Sequence, residues 1–221
     1  QLNCDEKLIV QEYIEGINLS SSVLASENEA ENIVNSRLLT QHDFEKNSQF
    51  KYVGNILPLT EKSILAPVKN TDAINREMAD TSEKLIRKFE LIGSNGVDFI
   101  LNKNGLYVIE INPRIQGTFE CVQQALGINM LEAHIKACQN EIIAIDKAEY
   151  YSYKKIIYSP KTVKYEKIDL NNIYDMPHLG SITQKDEPLL TIIDKDKDFD
   201  KLYEKVELSS QTVNKLANKS Q

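Results

Sequence analysis

Apolar positions in this chain recur first at strand spacing and then at helix spacing, and the changes of period divide it into elements. Residues 7–14, KLIVQEYI, are rich in apolar and β-branched side chains and stop at Glu15-Gly16, which predicts a buried strand running into a turn. A second strand is expected at Ser21 to Ala25. Between Ser26 and Thr71 the periodicity is weak and Gly54, Pro58 and Pro67 punctuate it, so this stretch reads as strand and loop. Asp72 then stands where an N-cap belongs, Ile74, Met78, Leu85, Ile86 and Phe89 repeat at helical spacing, and Gly93 stands where a C-cap belongs. A hairpin follows in GVDFILNKNGLYVIEIN, with its turn at Asn104-Gly105, and Pro113 ends its second strand. One helix is expected from about Thr118 to Leu126, closed by Gly127. Another is opened by Asn129 and carries Leu131, Ile135 and Cys138 on one face. From Tyr150 the texture becomes strand-like again in KKIIYS, KTVKYEKI, GSIT and LLTII, with QKDEP as a turn. A last helix from about Phe199 has Phe199, Leu202, Tyr203 and Val206 on one face. The pattern predicts an α+β chain: residues 1–149 as a sheet covered by helices, and residues 150–221 as a small, β-rich C-terminal subdomain.

Within the hairpin, YVIEINPR sets Glu110, Asn112 and Arg114 at every second position, so the three share one face of a strand. Their use depends on register. A two-residue type I′ turn at Asn104-Gly105 would put Asp98 opposite Ile111, with the two acids on opposite faces. A three-residue loop, Lys103 to Gly105, with Gly105 left-handed in a bulge, would put Asp98 opposite Glu110. The sequence permits both. Only the second gathers Asp98, Glu110 and Asn112 as oxygen donors on one face, the kind of set that Mg²⁺ accepts together with waters and phosphates.

Composition narrows the classes of function. The 221 residues are 41% hydrophobic and 27% charged, which suits a globular protein with a sizeable core, and the net charge of −7 argues against a nucleic-acid partner. Cys4, Cys121 and Cys138 form no CxxC pair, so neither a disulfide framework nor a thiolate zinc site is indicated, and a reducing cytoplasm is the simplest home. No apolar run approaches the length of a membrane span. Residue 1 is Gln and the first strand begins almost at once, so an upstream part is expected. Other motifs fail. DKDKDFDK, from Asp194 to Lys201, opens like a calcium loop but has Phe199 where Gly is needed and Lys205 at the twelfth position, so it reads as a charge run leading into a helix. His42, His134 and His178 have no metal-ligand spacing, and Cys121 reads as a packing residue.

VDFI, a short Asn-Gly loop and YVIEINPR together resemble the core of the ATP-grasp superfamily, which includes biotin carboxylase, carbamoyl-phosphate synthetase and D-alanine ligases. The following Gln116-Gly117-Thr118 looks most like the predicted ATP-dependent carboligases related to biotin carboxylase. The resemblance implies that Asp98, Glu110 and Asn112 hold magnesium (or manganese) on the ATP phosphates and that Arg114 lies near the transferring phosphoryl group or acyl phosphate. Gln116 is a further candidate for substrate contact, equally consistent with the start of a helix. VQEYIEG resembles the family's hinge, in which Gln11, the carbonyl of Glu12, Tyr13 and the amide of Ile14 would meet adenine. Asn18 would stand at the ribose-binding position, with Glu15 as its substitute. Gln11 and Asn18 depart from the family's commonest residues. The phosphate-contacting lysines and glycine-rich loop that precede the hinge in the family are not found in the first ten residues, where Lys7 lies too close to the hinge for either role. The resemblance therefore covers the C-terminal portion of the ATP-grasp fold, with a looser likeness extending into GSIT and LLTII.

What the resemblance implies is an ATP- and magnesium-dependent ligase. A small-molecule carboxylate would attack the γ-phosphorus, and an amine or similar nucleophile would displace phosphate from the acyl phosphate. An incomplete catalytic unit is expected in this chain alone. A small-molecule kinase and a non-catalytic nucleotide-binding module are the alternatives.

Overall fold

The computed structural model describes residues 9–44 and 51–219. Cys4, Lys7 and the first two positions of the predicted KLIVQEYI strand lie outside them.

The core of the fold is one antiparallel sheet. Its strands are β1 (Ile17–Ala25), β2 (Ala30–Thr40), β3 (Tyr52–Leu57), β4 (Gly93–Asn102), β5 (Gly105–Asn112), β6 (Tyr151–Tyr158), β8 (Ile173–Tyr174) and β10 (Pro188–Asp196), in the spatial order β5-β4-β1-β2-β3-β6-β10-β8. The short strands β7 (Val163–Lys164) and β9 (Ile182–Thr183) pair separately. Strands on both sides of residue 150 thus share the large sheet, joined where β3 meets β6.

Alternation along each strand sends side chains to two helical layers. On one face α1 (Thr71–Lys88) buries Met78 and Ile86 against Leu19, Val23, Val97 and Phe99, and α4 (Phe199–Lys219) buries Phe199, Leu202 and Val206 against Ile56, Tyr153 and Ile192. On the other, α2 (Phe119–Leu126) and α3 (Met130–Cys138) bury Cys121, Val122, Met130 and Ala133 against Leu24, Val34 and Leu57.

Several expectations need correction. Residues 9–15 form no strand, and Gln11, Glu12 and Tyr13 are exposed. Apolar residues make a strand only where a neighbour completes the ladder, and here pairing begins at Ile17, opposite Leu101. The cap of α1 is Asn70 rather than Asp72: its left-handed backbone (φ 61°) lets its side chain accept from the amide of Ala73, which leaves Asp72 in the first turn where it favours the helix dipole. Phe89 rather than Gly93 closes this helix, and Gly93 opens β4. On α3 the stripe of Leu131, Ile135 and Cys138 faces outward, while Met130, Ala133 and Ala137 are buried, because the small alanines allow close approach to the sheet. Asn129 and Gly127 cap as expected.

Candidate active site

At Asp98 the hairpin takes the second of the two registers considered, but through neither of the loops proposed for them. Asn102 pairs with Gly105 across a two-residue loop, Lys103-Asn104, which carried straight along the ladder would set Asp98 opposite Ile109. A bulge between the Phe99–Val108 and Asp98–Glu110 pairs absorbs Ile109 as the extra residue and sets Asp98 opposite Glu110. Both acids therefore reach the same face, by a bulge inside β5 rather than one at Gly105. Beyond them Gly96 pairs with Asn112, and on the other side of β4 Ser20 pairs with Asp98.

The side chains close into a network. The amide nitrogen of Asn112 donates to Asp98 Oδ2 and to Glu110 Oε1, each at 3.0 Å, so two carboxylate oxygens converge on one point. Asn112 Oδ1 accepts from Arg114 at 3.2 Å. Ser20 donates to Asp98 Oδ1 at 2.6 Å, and Gln116 Nε2 donates to Ser20 Oγ at 3.1 Å. Burial, followed by the like charge of Glu110, pushes the Asp98 carboxyl up to about 6 against the pull of its bond from Ser20. Glu110 and Arg114 stand at the exposed rim.

These groups open onto a cavity of about 460 Å³, also lined by Asn18, Leu38, Tyr52 and Gly117. The structure thus brings Asp98, Glu110, Asn112, Arg114, Gln116 and Asn18 to one cavity, whereas Gln11, Glu12, Tyr13 and Ile14 do not line it. Its far wall is braced from beyond residue 150. Lys154 of β6, buried, donates to the carbonyl of Gly117 at 3.3 Å and pairs with Glu120 at 3.1 Å. Cys121 packs in the core behind, its thiol pushed up to about 11 by burial, which makes it a poor nucleophile.

The donor set suits a hard divalent cation. Two carboxylates repel unless a positive group lies between them, and the Asn112 amide fills that role only with partial charge. Among the described residues no three His, Cys, Asp or Glu cluster as a metal site, so a cation here would rest on two carboxylates and on Asn112 with its side-chain amide turned over to present Oδ1 in place of the nitrogen, and would complete its shell with water and phosphate oxygens, as magnesium does. No helix among the described residues is long and apolar enough to cross a membrane.

The ATP-grasp domain model matches residues 1–118. The chain belongs to the ATP-grasp family. An uncharacterised protein of Methanocaldococcus jannaschii is 26% identical to this ATP-grasp chain over 191 residues, which is 86% of the chain and 43% of that protein. The tyramine–L-glutamate ligase of the same organism is 30% identical over 140 residues, 62% of the chain and 38% of the ligase. In fold, a biotin carboxylase from Campylobacter jejuni solved as a complex with β,γ-ATP superposes with a TM-score of 0.67 at 16% identity, covering 90% of this chain and 46% of that one. The chain spans less than half the length of each of these proteins.

Sequence reasoning missed Ser20, Gly96, Tyr52 and Lys154 in and around this candidate site. Ser20-Ser21-Ser22 is a polar run inside a strand whose ends are apolar, and all three serines are buried. That anomaly was the available signal. Gly96 lies two residues before Asp98, on the same face. Lys154 gave none, since it looks like any lysine in KKIIYS.

Proposed function

We propose that this chain supplies the magnesium–ATP phosphate site of an ATP-dependent ligase that activates a carboxylate as an acyl phosphate and transfers it to an amine or similar nucleophile. The observation that carries the reading is the convergence of Asp98 and Glu110 on the Asn112 amide beside the exposed Arg114, in a chain whose relatives include a tyramine–L-glutamate ligase. Bound magnesium or manganese would offset charge on the ATP phosphates. Asp98, Glu110 and Asn112 hold that cation, and Arg114 offers a charged fork to phosphate or carboxylate oxygens. Gln11 to Ile14 meet adenine and Asn18 the ribose, on the strength of the hinge resemblance alone. Residues 150–221 form the smaller C-terminal unit, and through Lys154 they brace the segment after Arg114. The home of the enzyme is the cytoplasm. Phosphate clamps do not identify the acceptor, so a kinase would use the same residues. An ADP-release screen of the full-length protein over carboxylates and amines separates the outcomes: a joined product supports the ligase, a stable phosphorylated product replaces it with a kinase, and ATP binding without turnover replaces it with a binding module.

The raised Asp98 carboxyl gives a test that needs no substrate. Its folded pKa of about 6 exceeds the ordinary 3.8, so the folded state binds the proton more tightly than the unfolded one, and its contribution to stability falls as pH rises from about 4 through about 6. A cation relieves that penalty only once Asp98 is ionised. Thermal stabilisation by Mg²⁺ should therefore be larger at about pH 7.5 than at about pH 5.5, and Asp98→Asn should remove the difference. An Mg²⁺ shift that Asp98→Asn leaves unchanged at about pH 7.5 would rule out Asp98 as a ligand, whereas equal shifts at both pH values in the unaltered protein would show only that Asp98 is ionised throughout this range.

A further inference from the structure

A carboxylate that ligates a metal needs one oxygen aimed at the ion and its rotamer fixed, and the residues that fix it commonly matter nearly as much as the ligands. Asp98 has two oxygens in different situations. Oδ2 shares the Asn112 amide with Glu110, whereas Oδ1 is taken by the hydroxyl of Ser20. We propose that Ser20, itself held by Gln116 over Gly96, is a positioning residue that engages one oxygen of Asp98 and so presents the other to the cation. The inference rests on the magnesium reading given above.

The order of the hydrogen bonds is fixed by valence. Ser20 is 1% exposed and has one hydroxyl proton, which goes to the carboxylate, so what it presents to Gln116 is lone pairs. Only the amide nitrogen of Gln116 can answer them, and its Oε1 is left to accept from Ser22 Oγ at 3.4 Å. Gly96 makes room for this arrangement: a Cβ there would lie 1.6 Å from Gln116 Nε2 and 1.9 Å from its Cδ. Any side chain at position 96 would drive the amide off Ser20. Ser22 also lies 3.4 Å from Thr118, so the segment after Arg114 is tied to β1 at two points. Strands β1 and β4 and the loop after Arg114 thereby meet at a single oxygen of Asp98. Ser20 touches neither phosphate nor acceptor in this account, and it acts through Asp98 alone.

The probe is Mn²⁺ binding to the full-length protein, read by electron paramagnetic resonance of the free ion, with melting temperature measured beside it. Ser20→Ala should weaken Mn²⁺ binding by roughly 10- to 100-fold with a fall in melting temperature of only about 2–8 °C, and Gln116→Met should weaken it less. Ser20→Thr, which keeps the hydroxyl, should restore most of the affinity. Wild-type Mn²⁺ affinity in both Ser20→Ala and Gln116→Met would overturn the positioning role while leaving the magnesium site standing. A loss that follows the melting temperature and is not restored by Thr would show a merely structural serine and overturn it too. If the unaltered protein binds no Mn²⁺, the magnesium reading falls, and this inference falls with it.

Discussion

Glu110→Ala should lower substrate-dependent ADP release by the full-length protein by about 10²- to 10³-fold, the range expected when one charge-stabilising group is removed from a reacting site. The argument is electrostatic. Glu110 supplies one of only two carboxylates in the cluster, and Asn112 is neutral, so the substitution halves the formal charge facing a divalent cation. Its exposure at the rim separates this effect from folding. No buried volume is lost, the Asn112 amide keeps Asp98 as an acceptor, and β5 keeps its ladder to β4. The variant should melt within about 1–2 °C of the parent, since surface substitutions stay within about ±0.5 kcal/mol. Glu110→Gln should be nearly as inactive, because an amide oxygen is a weaker ligand than a carboxylate and brings no charge. ADP release is measured by a coupled assay at saturating Mg²⁺ and again at tenfold more. Partial recovery at the higher concentration would mark a lost ligand, whereas wild-type rates under both conditions would mean that β5 does not hold the cation.

How much of this site could be read in the sequence depends on how local each determinant is. The two-residue alternation of Glu110 and Asn112 is a property of one strand and survives in the structure, whereas Arg114 lies past the end of β5, in a bend, and stays beside them through its bond to Asn112 Oδ1. Opposition of Asp98 and Glu110 was one of two registers that the sequence permitted, and the structure reaches it without the three-residue loop tied to it. The sequence leaves the total offset between two strands open, because a shorter loop and a bulge at Ile109 give the same pairing as a longer loop. Caps show a similar limit. Asn129 and Gly127 act on their own helices, but the choice between Asn70 and Asp72 turned on whether residue 70 could take a left-handed backbone, which neighbours decide. Least legible were residues whose meaning is a long-range contact. Ser20 is 78 positions from Asp98, and Lys154 reaches Gly117 across 37. An apolar stripe says only that a helix has a face, so Leu131 and Ile135 misled where the alanines beside them carried the packing.

The second large effect is expected where the sheet is joined. Gly54 of β3 lies opposite Lys155 of β6, and a Cβ on it would fall 1.9 Å from the carbonyl oxygen of Lys154 and 2.9 Å from the carbonyl carbon, with φ at +145°. The obstructing atoms are backbone in a paired strand, so no side-chain rotation can relieve the clash. Gly54→Ala must either part β3 from β6 or strain both, at a cost of about 3–5 kcal/mol when overpacking and a forbidden backbone angle are combined. For a chain of this size that is a fall in melting temperature on the order of 10 °C. Gly127→Ala is the appropriate comparison, because its φ of +68° is also positive but nothing lies within 4 Å of the added carbon. It should cost only about 1 kcal/mol, since a left-handed cap strains alanine without any collision. The consequence of the Gly54 change should extend to function. Lys154 sits at the point of collision and holds the carbonyl of Gly117, so the residues after Arg114 lose their brace when β6 moves. Gly54→Ala assayed below its melting temperature should therefore show a raised KM for the acceptor with ATP binding less affected. Melting within about 2 °C of the parent would mean that β6 yields at this point and that the junction between the two halves of the sheet is not rigid.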